Sequence, residues 1–571
     1  DDDRKFLMYL RNKYHLKLYT TKDTVLLKSN SYKIDQIDSH KLGIDNIHIK
    51  DGNIHMLGNF ISYFNEDNIQ IKIIKNVSDN IINVYPAKQI NYSQDIRKTK
   101  KYLSVDWRYN YNFELIVPLC ENECEMMFQV TYDNGNVQRS FNPNVTYKKN
   151  TGLNYIHNFI QDNKVINLDK STIKVSDSSK LIFIKNEIDN MRKIFKDKKE
   201  GYKDALLVRG IYLLTHPIMK NKKIWLLNDR LDSSDDNAKH LFDYIIKQED
   251  NINKYYVIGK DCDDYKIMKK EYKNIVAYGS LKHKILFLYN QKIISSFLNF
   301  TYHNPFFKQE KDYRQLYGNL VNSSIYFLQH GVTARNANHF KRFSNELSLI
   351  LATSDKEKEF IDDTFNYPKE TTQTLGFPRY DNLTDDSKKE IIYMPTWRSY
   401  LDKNEEMFKN SNFFKSMNEL LNDKKLLGLL DKHGYTLKFK PHPELLKYVE
   451  LFDLSEDVKI STDEPYQQLF KEGSILISDF SSVLFDFAYL KKPIIYYQPH
   501  DDHQYEDSYF SYEDMGFGRV IKDKEKLVDV IAEYIRNDCK MEDVYVERVN
   551  SFYKYTDRNN CKRVYEWLKR N

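Results

Sequence analysis

The sequence predicts an α/β protein in which two doubly wound, parallel-sheet domains follow a β-rich, sandwich-like region. Three observations carry that expectation. Short apolar or alternating runs separated by turn residues fill the first 180 positions. From residue 223 strands and helices alternate, the order that builds a parallel sheet covered on both faces. The alternation runs twice, with a turn-rich break near residues 376–387. The expected domains are 1–180, 181–380 and 381–571, within the three or four that about 150 residues per domain allows a chain of 571.

In the β-rich region the runs are 32–37, 47–49, 54–61, 69–74, 81–85, 113–117 and 126–132. Asp51-Gly52-Asn53, Asp133-Asn134-Gly135-Asn136 and Asn142-Pro143-Asn144 separate some of them. Their spacing suggests one or two small sandwiches with no convergent catalytic residue types. Residues 181–212 read as one amphipathic helix, strongly basic around 192–203, suited to a solvated face or to an anionic membrane. The first α/β series has strands at 223–228, 255–259, 275–278, 293–297, 325–329 and 347–352, with helices at 237–247 and 281–289. The second has strands at 391–394, 437–440, 458–460, 475–478 and 494–497 and helices at 413–430, 466–471, 482–490 and 524–535. In such sheets ligands bind beyond the carboxyl ends of the strands.

Composition narrows the function. The net charge of +5 lacks the footprint of a nucleic-acid binder, so no nucleic-acid partner is expected. Aromatic residues make up 14%, and glycine is scarce at 17. Gly516 and Gly518 lack the third glycine of a dinucleotide fingerprint, and no GxxxxGK[ST] occurs. Five scattered cysteines read as reduced thiols, and the spacing of Cys120 and Cys124 does not suggest zinc. Asp261-Cys262-Asp263-Asp264 reads as a turn, so neither a metal nor a cofactor is expected. No run of about 18 apolar residues exists. The chain opens Asp1-Asp2-Asp3 without a Met, which leaves room upstream for another domain or a membrane signal.

Five segments end strands or open helices with chemistry-bearing residues. Ser478-Asp479-Phe480-Ser481-Ser482 leads from a strand into a helix, whose first N–H groups suit a phosphate; helix capping explains the same pattern. Lys440-Pro441-His442-Pro443 holds a histidine between two prolines beside a cation. Gln329-His330-Gly331 ends a strand of the first sheet, where a histidine suits a general base and Gly331 permits a sharp turn. Pro395-Thr396-Trp397-Arg398 and Gly376-Phe377-Pro378-Arg379 each supply an arginine fork. Asn228-Asp229-Arg230 through Asp236-Asn237 opens the first helix and suits a hydroxyl-rich acceptor, as does ordinary capping; Arg335 and His339 follow His330 in a polar loop. Jointly they point to transfer chemistry on a phosphorylated donor.

Taken in order, these segments, with Val483-Leu484-Phe485-Asp486 and Tyr380-Asp381, resemble the CDP-glycerol glycerophosphotransferase family of teichoic acid and capsule polymerases over about residues 223–540. The resemblance implies a GT-B-like pair of Rossmann-like domains. It implies transfer of glycerol phosphate or ribitol phosphate from a CDP-activated donor to a polymer or lipid-linked acceptor, releasing CMP. His330 would deprotonate the acceptor hydroxyl, while His442 and Arg398 would stabilise the leaving CMP. Lys440, Arg379, Asp479, Ser481 and Ser482 would bind the donor phosphates, and Asp236, Asn237 and Arg335 would lie on the acceptor side. A cytoplasmic protein, peripheral at the inner face of the cell membrane, follows from the same resemblance. Two other readings stand beside it: a GT-B glycosyltransferase using a nucleotide sugar, and a non-catalytic polymer-binding scaffold.

Overall fold

The computed structural model describes residues 13, 15–20, 25–37, 41–62, 69–78, 81–90, 101–102, 105–106, 109–133, 138–147, 152–321, 323–342, 346–401, 405–462, 464–500 and 508–571. The Asn134-Gly135-Asn136 turn lies outside them. The chain divides into two compact units, 1–224 with 276–291 and 304–324, and 225–275 with 292–303 and 325–571.

The first unit contains two mainly antiparallel sheets of five and seven strands that share one apolar core. Alternation explains it. Phe113, Leu115 and Val117 of the strand Tyr109–Pro118 point into the core, while Ile116 stays exposed. Strands Lys41–Lys50 and Asn53–Ser62 are joined by Asp51 and Gly52, both at positive φ (50° and 70°), as a two-residue hairpin turn demands. Cys120 and Cys124 form a disulfide, which corrects the expectation of five reduced thiols. Their separation of four residues on either side of a turn brings the two side chains together.

The single helix expected at 181–212 is two helices, α1 (Lys180–Asp197) and α2 (Tyr202–Met219). Lys198 and Gly201 break it at positive φ (46° and 82°). The buried face of the pair mixes apolar and polar residues: Ile194, Val208 and Tyr212 are buried together with charged groups. Glu187 and Asn190 face inward, and Glu187 makes a buried ion pair with Arg209 at 2.7 Å. Leu181, Phe195, Leu207, Leu214 and Ile218 are exposed.

The second unit carries the second α/β sheet and most of the first. In the first, β1 (Lys223–Asn228), β2 (Ile252–Ile258), β3 (Ile275–Ala277), β4 (Lys292–Ser295), β5 (Ser324–Phe327), β6 (Leu347–Ala352) and β7 (Thr372–Thr374) lie in the order 3-2-1-4-5-6-7. In the second, β8 (Glu390–Met394), β9 (Thr436–Phe439), β10 (Val458–Ile460), β11 (Ile475–Ser478), β12 (Ile494–Tyr497) and β13 (Gly518–Ile521) repeat it: 10-9-8-11-12-13. All pairings in the second sheet are parallel. This is the doubly wound strand order, and it fixes two switch points, between β1 and β4 and between β8 and β11. The edge strands β7 and β13 add to the predicted set. The helix expected at 413–430 is also two, Asn412–Leu421 and Lys424–His433, because Asp423 caps the second by accepting from Leu426 N–H at 2.8 Å. No helix among the described residues is long and apolar enough to cross a membrane.

Candidate active site

At the first switch point β1 delivers Asp229 into the interior. Its carboxylate accepts hydrogen bonds from the N–H groups of Asp236 (3.2 Å), Ala238 (3.1 Å) and Lys239 (3.1 Å) and from the Tyr256 (2.9 Å) and Ser296 hydroxyls. Burial raises its pKa, and these donors oppose the rise. Asp229 therefore anchors the start of helix α3 (Asn237–Ile245). The next residue, Arg230, is exposed and holds its guanidinium 5.0 Å from the Phe297 ring.

Asp236 caps α3 through Asn237 N–H (2.7 Å) and pairs with Arg379 at 2.9 Å. Asn237 is completely buried. Its amide donates to the Leu328 (3.2 Å) and Gln329 (2.7 Å) carbonyls and accepts from Arg379 N–H (3.1 Å). This corrects the expectation of an acceptor ligand: every polar atom of that side chain is used to join three chain segments. Arg379 is likewise enclosed. Its Nε and Nη2 form a fork on Asp486, each at 2.8 Å, with Asp236 on Nη1. Arg379 is a structural clamp rather than a phosphate ligand, because its charge is already met by two carboxylates.

His330 follows β5 and stacks on Phe297, with ring centroids 4.7 Å apart and planes 10° apart. It keeps solvent-accessible surface, yet protein surrounds it closely enough that desolvation, then Arg379 and Arg230, pushes its pKa down to about 4. The imidazole is neutral at physiological pH, the form a general base needs. The strained residue in this turn is Gln329, at φ 60°, and not the glycine. Gly331 serves a close approach instead, since a Cβ there would lie 3.0 Å from Ser482 Oγ. That contact brings the His330 turn of the first sheet against the serine-led helix of the second. The turn is held from behind by Glu357, fully buried, which accepts from Gln329 Nε2 (3.0 Å), Thr333 N–H (2.8 Å), Thr353 N–H (2.7 Å) and Thr353 Oγ1 (2.9 Å). Burial pushes that carboxyl up to about 7 against the four donors.

At the second switch point Asp479 accepts from Thr396 N–H (2.8 Å) and Phe480 N–H (2.7 Å) and pairs with Arg398 at 2.9 Å. Arg398 also donates to the Thr396 carbonyl (2.8 Å), and its guanidinium lies 4.7 Å from the Phe413 ring. A pocket opens here, lined by Tyr393, Arg398, Phe413, Met417, Gln498 and His500 among others. Lys440 does not reach it. Its ammonium is bound by the Thr462 (2.8 Å) and Glu464 (3.0 Å) carbonyls, which makes it an anchor for that loop and corrects its assignment to the donor phosphates. His442 is exposed, accepts from Glu444 N–H at 3.2 Å through Nδ1, and has a lowered pKa from burial, with Arg230 acting in the same direction. Ser481 accepts from Val483 N–H, and Ser482 makes no capping bond, at the start of a seven-residue helix, α4 (Val483–Tyr489). Arg335 is exposed and bridges Ser508 through the backbone, and burial, with the Arg335 charge acting in the same direction, lowers the pKa of His339. Among the described residues no three His, Cys, Asp or Glu side chains gather as a metal site.

Sequence reasoning named the two histidines and the serines but passed over Arg230, Phe297 and Glu357. Arg230 lay inside a segment already singled out, and its place directly after a buried strand-end aspartate was the available signal.

Residues 211–569, more than half of the chain, match the family CDP-Glycerol:Poly(glycerophosphate) glycerophosphotransferase. The chain belongs to that family. It is 38% identical over 384 residues to the minor teichoic acid biosynthesis protein GgaB of Bacillus subtilis (strain 168), covering 65% of this chain and 42% of that protein. It is 24% identical to the teichoic acid poly(ribitol-phosphate) polymerase of Bacillus spizizenii (strain ATCC 23059 / NRRL B-14472 / W23), over 72% of this chain and 64% of that one. The chain thus spans less than two thirds of the length of these relatives. Among solved structures, the wall teichoic acid polymerase TagF is similar over 67% of this chain and 97% of that chain, at 14% identity and a TM-score of 0.48.

Proposed function

We propose that this glycerophosphotransferase-family chain moves glycerol phosphate or ribitol phosphate from a CDP-activated donor to a hydroxyl of a teichoic-acid or capsule-type polymer, or of a lipid-linked acceptor. The observation that carries the reading is a neutral, solvent-accessible His330 on a turn that touches Ser482 of the opposite sheet. The two α/β sheets then act as a GT-B-like pair, with the donor on the second.

The acceptor oxygen attacks the β-phosphorus in line, and His330 takes its proton. The bond between the β-phosphorus and the bridging oxygen breaks, and CMP leaves with that electron pair. His442 and the Ser481 and Ser482 hydroxyls meet the charge on the pyrophosphate. The pocket beside Arg398 and Phe413 takes the nucleotide, with Asp479 keeping Arg398 in place. Purified protein given CDP-glycerol, CDP-ribitol and UDP-sugars in parallel tests this. CMP release with acceptor elongation is expected. UDP release would establish the nucleotide-sugar alternative, and no turnover would establish a scaffold.

The proposed location is the inner face of the cell membrane. The exposed Leu181, Phe195, Leu207, Leu214 and Ile218 of α1 and α2, beside exposed Lys185, Lys196 and Lys203, fit an anionic bilayer. Co-sedimentation with phosphatidylglycerol vesicles, weakened in a Leu214→Ser, Ile218→Ser variant, is the expected result. Equal binding by both proteins would refute that surface.

A further inference from the structure

The cations that the sequence offers to phosphate are largely spent elsewhere. Arg379 is paired with Asp486 and Asp236, Arg398 with Asp479, and Lys440 with two carbonyls. A phosphoryl group entering this site meets two arginines already paired with carboxylates and a lysine whose ammonium is already held by two carbonyls. Arg230 differs. It stands just beyond the carboxyl end of β1, beside the first switch point, exposed, and no carboxylate pairs with it among the described residues. Its guanidinium lies 5.0 Å from the face of Phe297, the ring on which His330 stacks at 4.7 Å. Its charge acts on His330, His442 and Tyr466, groups from both sheets.

We propose that Arg230 binds the phosphoryl group being transferred, holding its non-bridging oxygens between His330 and His442. The proposal rests on the transferase reading and adds to it the residue that carries the reacting phosphate's charge. Two features of the site suit the task. The planar fork matches two phosphoryl oxygens at once, which an ammonium does not. Phe297 fixes the guanidinium plane without neutralising it, so the positive charge is in place before the substrate arrives and needs little reorganisation as charge builds on phosphorus. No proton moves to or from Arg230. The acceptor proton still goes to His330, and the electron pair of the broken bond still leaves with CMP.

The test uses the full chain in three forms: wild type, Arg230→Gln and Arg230→Lys. Arg230 is exposed, and thermal melting is expected to be the same for all three. The first measurement is CMP release from CDP-glycerol and CDP-ribitol. Arg230→Gln is expected to lower kcat/KM on the order of 10²–10³-fold, and Arg230→Lys to recover part of the loss. The second measurement needs no turnover. Inorganic phosphate is titrated against the histidine ring protons by NMR, with His330 and His442 assigned from single His→Asn variants. Phosphate is expected to shift both rings in the wild type, and Arg230→Gln to need at least about tenfold more phosphate, the loss of one charge-assisted bidentate contact. Wild-type phosphate affinity in Arg230→Gln overturns the proposal, whatever happens to the rate. If the wild type releases no CMP from either donor, the transferase reading fails, and the phosphate titration alone then decides Arg230.

Discussion

The two α/β sheets share the strand order around their switch points, and each sets a buried aspartate beside that point, Asp229 after β1 and Asp479 after β11, yet they use that aspartate in opposite ways. Asp229 of the first sheet is met by three backbone N–H groups and two hydroxyls, all neutral donors. Asp479 of the second is met by two N–H groups and the Arg398 guanidinium. The first sheet therefore leaves its neighbouring arginine, Arg230, without a carboxylate partner among the described residues, while the second pairs its own. Equal topology does not mean equal electrostatics, because what a carboxylate accepts from decides which cation nearby is left for a ligand.

The largest expected effect tests the reactive side of that contrast. His330→Ala should cut CMP release about 10³-fold with the melting temperature unchanged, since general-base catalysis is worth about 10²–10⁴. Wild-type rates would remove His330 from the chemistry. Asp479→Asn should destabilise the fold by about 3–5 kcal/mol in urea denaturation, because it leaves Arg398 buried without its counter-charge. Asp229→Asn should cost less, about 2 kcal/mol, because it strands neutral donors and no ion. Equal losses would erase the distinction between the two aspartates. The pH profile comes next. With its pKa lowered to about 4, His330 is a base at every pH above that value, so the acid limb of kcat/KM should fall near 4 and not near 6.5. Arg230→Gln removes one of the charges that depress it and should move that limb upward. Gly331→Ala is the smallest, about a threefold loss, because Ser482 Oγ has only to shift by a few tenths of an ångström.

Much of the second unit was legible in the sequence. Parallel strands buried on both faces read as continuous apolar runs, and most of them match the observed strands within a residue or two. The edge strands β7 and β13 escaped because they are short and carry Thr372, Gln373, Gly518 and Arg519 in place of such runs. The helical pair α1 and α2 read as one helix because the apolar period continues across the Lys198–Gly201 break, although Gly201 marks the stop. The site was legible by residue type but not by partner. Arg379 and Asp486 lie 107 residues apart, and nothing local in either segment announces the pair. That is why the sequence alone offers Arg379 and Lys440 to phosphate, although one is clamped by two carboxylates and the other by two carbonyls.

The last helix, α5 (Asn560–Arg570), comes after the second sheet in sequence but packs on the first. Asp381 receives the N–H groups of Asn560 (2.9 Å) and Cys561 (2.8 Å), and Trp567 meets Tyr326 edge-on. The chain therefore passes between the two sheets twice, once near residue 385 and once near residue 555. One apolar core runs through both sheets and includes Leu568 of this helix, so trimming the final dozen residues would strip the first sheet of part of its cover and open a core that the second sheet shares.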